Sequence, residues 1–182
     1  MKKLIIASAI SMTMASGAAM AADANTSQTG EVTFIGSVTA KTCDLAPSVG
    51  GIMSDVIDLG TIDVGSESTE KQFALVKKAG TSCVLDESTS ADVTWGGTFT
   101  AKGLANTKGT AQDAYVILTA NGVDAANTNA QITAGKQTVN FTKVKEKLDA
   151  DGLQFSAKLK SDNVSGTAGS FLSTAYYAVA YK

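Results

Sequence analysis

Apolar residues recur at every second position through most of this chain. Val32, Phe34, Gly36, Val38 and Ala40 alternate with Thr33, Ile35, Ser37 and Thr39. The same period returns in SDVIDLG (54–60), KQFALVK (71–77), ADVTWGG (91–97), AYVILTANG (114–122), AQITAG (130–135), KQTVNFTK (136–143) and LQFSAKLK (153–160). A β-strand sends successive side chains to opposite faces, so each stretch predicts a strand, and the intervening glycine, asparagine and aspartate predict turns. In LQFSAKLK the apolar face is Leu153, Phe155, Ala157 and Leu159. Helical signal is confined to TKVKEKLDADG (142–152), which predicts one turn whose lysines and glutamate form a solvated face. Many short strands with so little helix predict an all-β sandwich.

The final stretch, GSFLSTAYYAVAYK (169–182), is the most strand-like. Gly169, Phe171, Ser173, Ala175, Tyr177, Val179 and Tyr181 share one face, opposite Ser170, Leu172, Thr174, Tyr176, Ala178 and Ala180. Apolar groups on both faces predict a strand buried on both sides. An immunoglobulin-type sandwich places one more strand beside it, and without that strand an apolar edge and a gap in the core would face water. The candidate cover is the alternating segment 32–40, acting within one molecule or between molecules. Gly36 lets the backbone approach a constricted part of a groove. Periodicity alone equally allows 31–40 to be the ordinary first strand of a self-contained sandwich.

The leader sets the compartment. Lys2 and Lys3 precede an apolar run from Leu4 to about Ala15, and Ala19-Met20-Ala21 supplies small residues for cleavage after Ala21 or Ala22. The run is shorter than the roughly 20 residues a spanning helix needs, which predicts an exported chain. Loss of Lys2 and Lys3 leaves 13 basic residues against 17 acidic, a net charge of −4 that argues against nucleic acid or anionic lipid as partner. Cys43 and Cys83 are the two cysteines, and in an exported chain they predict one disulfide.

Catalytic and metal chemistry finds little support. With no histidine, the chain lacks the usual base for a serine or cysteine nucleophile and the commonest metal ligand, so neither enzyme activity nor a cofactor is expected. Asp149-Ala150-Asp151-Gly152 resembles the start of a calcium loop, but the remaining ligands are missing and a capped turn is the better reading. Trp95, the single tryptophan, could stack on a sugar; core packing at a strand end is preferred.

These features together resemble the pilin subunits of the chaperone/usher pathway, close to the major subunits of type 1-like fimbriae. The resemblance is carried by the leader, GEVTFIGSVTAKTCDL running into the first cysteine, VIDLG, the second cysteine, Gly169 fourteenth from the end and Tyr181 penultimate. It implies an incomplete immunoglobulin-like β-sandwich of six strands that lacks its C-terminal strand and carries an N-terminal donor-strand extension. The implied organisation is a signal peptide (1–21), the extension (22–42) and the pilin domain (43–182). Val32, Phe34, Gly36, Val38 and Ala40 would form the donor strand; Gly169, Phe171, Ala175, Tyr177, Val179 and Tyr181 would line the acceptor groove, with Ser173 a small polar departure. The Lys182 carboxylate would be held by basic residues of a periplasmic chaperone. An outer-membrane usher and identical or related pilin subunits are the other implied partners, a host receptor is left open, and the destination is a fimbria on the cell surface. Strand complementation of this kind is a form of β-strand addition, in which an extended segment joins an exposed sheet edge. The competing class is a self-contained secreted carbohydrate-binding sandwich.

Overall fold

The computed structural model describes residues 43–122, 130–162 and 164–182. The leader, the donor segment 32–40 and their proposed boundaries lie outside the described residues. Ten strands and one short helix follow in order: β1 (Leu45–Val49), β2 (Ile52–Met53), β3 (Lys71–Lys77), β4 (Ala91–Gly96), β5 (Leu104–Ala105), β6 (Ala114–Ala120), β7 (Ala130–Ile132), β8 (Thr138–Phe141), α1 (Val144–Asp149), β9 (Leu153–Ser161) and β10 (Tyr176–Tyr181). They build two antiparallel sheets. The larger has the order β2-β1-β3-β9-β6-β5, with β7 also on β6, and the smaller is β10-β4-β8.

The core lies between the two sheets, and alternation explains its membership. Phe73 and Leu75 of β3, Leu153 and Phe155 of β9, Val116 and Leu118 of β6, and Val93 and Trp95 of β4 all turn inward and are buried. Register places Phe73 opposite Phe155, where the rings stack at 5.5 Å, and Trp95 meets Phe155 edge-on at 5.2 Å. Helix α1 contributes Val144 and Leu148, one turn apart on its buried face. Cys43 and Cys83 are bonded, with their Cα atoms 4.7 Å apart.

Three expectations need correction. Residues 54–60 form no strand: Ser54 Oγ accepts from Val56 N–H and Asp58 Oδ1 from Gly60 N–H, a run of local turns. Ile57 and Leu59 still pack against the core, so the period of two reported an inward face without a hydrogen-bonded neighbour; Ile62, beyond the segment and out of phase with it, packs there as well. The final strand is shorter than 169–182, beginning only at Tyr176. Nor is it buried on both faces, since Leu172 is 55% and Tyr176 70% exposed on a side that no further layer covers among the described residues.

Strand β1 was hidden by Pro47, which lacks the N–H that a ladder uses. Its partner bonds explain the tolerance. Lys78 N–H donates to Asp44 O, so antiparallel alternation directs the even residues of β1 to β3 and the odd ones, Pro47 included, to the opposite side. Gly50 and Gly51 take positive φ, +58° and +84°, as a two-residue hairpin into β2 requires.

Candidate strand-accepting groove

Strand β10 forms one edge of the small sheet, and among the described residues that edge is unpaired. Lys182 and Ser90 exchange both backbone hydrogen bonds, 2.8 and 3.1 Å, which fixes the alternation along the β10–β4 ladder. Even residues of β10 point their N–H and C=O groups at β4. Tyr177, Val179 and Tyr181 therefore point theirs the other way, and no strand among the described residues pairs with that edge. The same three residues turn their side chains inward, half-buried against the core.

Facing this edge is a second wall made of residues 43–47 and 55–64. Between the walls run three depressions. The first is lined by Cys43, Leu45, Tyr177, Val179 and Tyr181; the second by Ile57, Leu59, Trp95, Ala175 and Phe171 among others; the third by Ile62, Ala168, Gly169 and Phe171 among others. The second has a volume of about 370 Å³ and opens onto Phe73, Leu104, Val116 and Leu118 of the core. They lie in chain order along both walls, so the apolar trough is as long as a strand.

Two tyrosines cross the trough. Tyr177 OH donates to Leu45 O and Tyr181 OH to Cys43 O, both at 2.9 Å, from β10 to the odd-numbered carbonyls of the opposite wall. Burial pushes the Tyr181 hydroxyl up to about 12, with Asp44 adding to the shift. Burial, then Asp55, raises Tyr177 as well. A neutral phenol is what a donor to a backbone carbonyl needs.

Upstream, the lead-in to β10 is clamped by the 106–111 turn. Asn106 Nδ2 donates to Ala111 O and Ser170 O, 2.9 and 3.0 Å, while its Oδ1 accepts from Gly109 N–H and Leu172 N–H. The chains approach so closely that a Cβ on Gly169 would meet Ala111 N at 2.6 Å and clash with Thr110 Oγ1. Only glycine fits there.

Each groove residue expected from sequence can now be placed. Phe171, Ala175, Tyr177, Val179 and Tyr181 do share the inward face, and half-buried Ser173 joins them in the second depression. Gly169 borders the third depression, with its main role in the clamp. Lys182 points outward, its amine paired with Asp92. Trp95 is 6% exposed beneath Tyr177, which removes it as a sugar platform. Ile57, Leu59 and Ile62 are not among the expected site residues; the alternation of Ile57 and Leu59 reads as a strand, and Ile62 carries no such signal. Asp149, the last residue of α1, pairs with Lys77, and no metal-holding group of acidic or cysteine residues occurs among the described residues.

An antiparallel sandwich whose β10 edge is unpaired among the described residues and borders an apolar trough defines a class: an all-β structural domain with an open sheet edge. No family model matches the chain. Among characterised proteins it is 38% identical to the F107 fimbrial protein of Escherichia coli over the whole length of both, and 28% identical to the K99 fimbrial protein of Escherichia coli over 91% of this chain and 93% of that one. The chain belongs to the fimbrial protein family, whose members are structural pilus subunits and not enzymes. The solved P pilus rod subunit PapA superposes with a TM-score of 0.46 at 17% identity, over 85% of this chain and all of that one.

Proposed function

We propose that this subunit polymerises by donor-strand exchange, with segment 32–40 of one copy entering the trough of the next. Val32, Phe34, Gly36, Val38 and Ala40 supply the inward face of the donor. Phe171, Ala175, Tyr177, Val179 and Tyr181 receive it. The observation that carries this reading is the coincidence of two properties in the same residues. The odd positions of β10 present unpaired backbone at the edge and apolar side chains toward the trough. An entering strand would gain hydrogen bonds and apolar burial at once. Full burial of Phe34 and Val38 contributes about 1.5–3 kcal/mol each.

Before assembly the same edge is held by a strand of a periplasmic chaperone, whose basic residues engage Lys182, and an outer-membrane usher exchanges one strand for the other. Both strands make similar backbone bonds, so the preference rests on how well side chains fill the trough. The copy with both a donor segment and an acceptor trough belongs in the shaft of a surface fimbria.

The test uses mature protein lacking residues 22–40. The expected product folds, binds the chaperone and forms no fibre by electron microscopy. If the deletion instead unfolds a protein that is otherwise a stable monomer, segment 32–40 is an intramolecular strand and the proposal fails.

A further inference from the structure

Strand β4 ends at Gly96, opposite Tyr176, so the β4 ladder stops where the chain ahead of β10 begins. The 106–111 turn, which follows β5 in the large sheet, holds that chain instead. Ser170 N–H donates to Thr110 Oγ1 at 3.1 Å, and Ser170 O accepts from Ala111 N–H at 3.0 Å. Leu172 O accepts from Lys108 N–H at 2.9 Å and from Thr107 N–H at 3.3 Å. Even residues thus bond to the turn as the even residues of β10 bond to β4. The side chains keep step: Phe171, Ser173 and Ala175 are half-buried, while Ser170, Leu172 and Thr174 are exposed. Among the described residues no hydrogen bond uses the backbone of Phe171, Ser173 or Ala175.

Asn106 lets a turn do the work of a strand. A primary amide carries the C=O and N–H of a peptide group, and this one presents both to the lead-in. Its Oδ1 accepts from Leu172 N–H and its Nδ2 donates to Ser170 O, each at 3.0 Å. One residue of a parallel neighbouring strand would bond to the same two groups. The remaining positions of the amide are taken by Gly109 N–H and Ala111 O, both at 2.9 Å, which fixes its plane. We propose that Asn106 is a positioning residue for strand uptake: it keeps Phe171, Ser173 and Ala175 in line with Tyr177, Val179 and Tyr181, so that the accepting edge runs well beyond β10. Asn106 lines none of the three depressions, so it acts only through the segment it holds. The inference rests on the accepting role proposed above.

Full-length chains carrying Asn106→Ala are compared with wild type for fibre yield per unit of subunit in the cell, a ratio that lower subunit abundance does not move. The ratio is expected to fall roughly tenfold. A double-substitution cycle then separates positioning from general support. In a Phe171→Ala background, Asn106→Ala should cost no more than roughly a further twofold, whereas in a Val179→Ala background it should cost roughly the full tenfold again. Multiplying effects in both backgrounds overturn the proposal, as does an unchanged ratio for Asn106→Ala alone. Where a substitution leaves no product to measure, Asn106→Asp, which keeps the two accepting bonds and loses the two donated ones, or Phe171→Leu takes its place, with the same pattern expected. Chains lacking residues 22–40 serve as the control. Fibres from them overturn strand uptake and this inference together; no fibres from them, with multiplying effects in the cycle, overturn the role of Asn106 alone.

Discussion

Strands β9 and β10 carry the same alternation and meet different fates. β9 is flanked by β3 and β6, and its Leu153 and Phe155 are wholly buried. β10 is flanked by β4 alone among the described residues, and its Tyr177, Val179 and Tyr181 stay half-buried. Side-chain apolarity is similar in the two; the number of neighbours is not. One strand has finished its contacts inside the subunit, and the other has contacts still to make.

Substitutions should divide along that line. Phe155→Ala is expected to destabilise the mature subunit by about 3–5 kcal/mol, read from the midpoint of urea unfolding. Val179→Ala should cost only about 1 kcal/mol in the same assay, since that side chain is only partly buried. Equal effects would erase the contrast between the strands.

Replacing both cysteines by alanine frees the wall opposite β10. The bridge spans 40 positions, and its loss is expected to cost about 4 kcal/mol in the chain-entropy account. A loss confined to the fibre, with the monomer unchanged, would show that the wall is held by something else.

Tyr181→Phe keeps the ring and deletes one bar across the trough, for a cost of about 1 kcal/mol. Raising pH does the same reversibly. The folded hydroxyl titrates at about 12 against an ordinary 10, so its contribution is complete below pH 10 and is lost as pH climbs through 12. Circular dichroism melts between those values should show Tm falling further in wild type than in Tyr181→Phe, in which Tyr115, also raised to about 12, and Tyr177 still titrate.

The smallest effect belongs to the outer face. The Lys182 hydrogen bond, then that of Asn140, holds the Asp92 carboxyl below its ordinary value of 3.8. Its contribution is present above that value and disappears as pH falls through the lower folded one. At this partly exposed site Asp92→Asn should shift stability by less than about 0.5 kcal/mol. A larger loss would mean that β10 depends on its outer side as well.

Much of this was readable in the sequence where local pattern and tertiary outcome coincide. β3 matches its expected span, 71–77, and β9 extends the expected 153–160 by one residue, because inward apolar residues and strand pairing fell on the same positions. The helical turn within 142–152 is α1. Elsewhere the two parted. Pro47 concealed β1 because its missing N–H matters only on the side facing β3, and sequence does not say which side that is. Segment 54–60 alternates like a strand yet lines a trough. The bars of Tyr177 and Tyr181 join residues 132 and 138 positions apart, and no local rule reports such a bond. The inward face of 169–181 was legible; the wall opposite it, built from Leu45, Ile57, Leu59 and Ile62, was not.

The bridge between Cys43 and Cys83 also bears on mechanics. If neighbouring subunits are joined through segment 32–40, tension along the fibre arrives at this domain along the backbone just ahead of Cys43. There it finds a covalent fork: part continues into β1, and part crosses sulfur to sulfur to Cys83, beyond the end of β3. β1 then cannot be peeled from β3 one hydrogen bond at a time from its leading end, because that end is riveted. The bonds of the β1–β3 ladder must be sheared together. A subunit wired in this way stretches at its joints before its body opens.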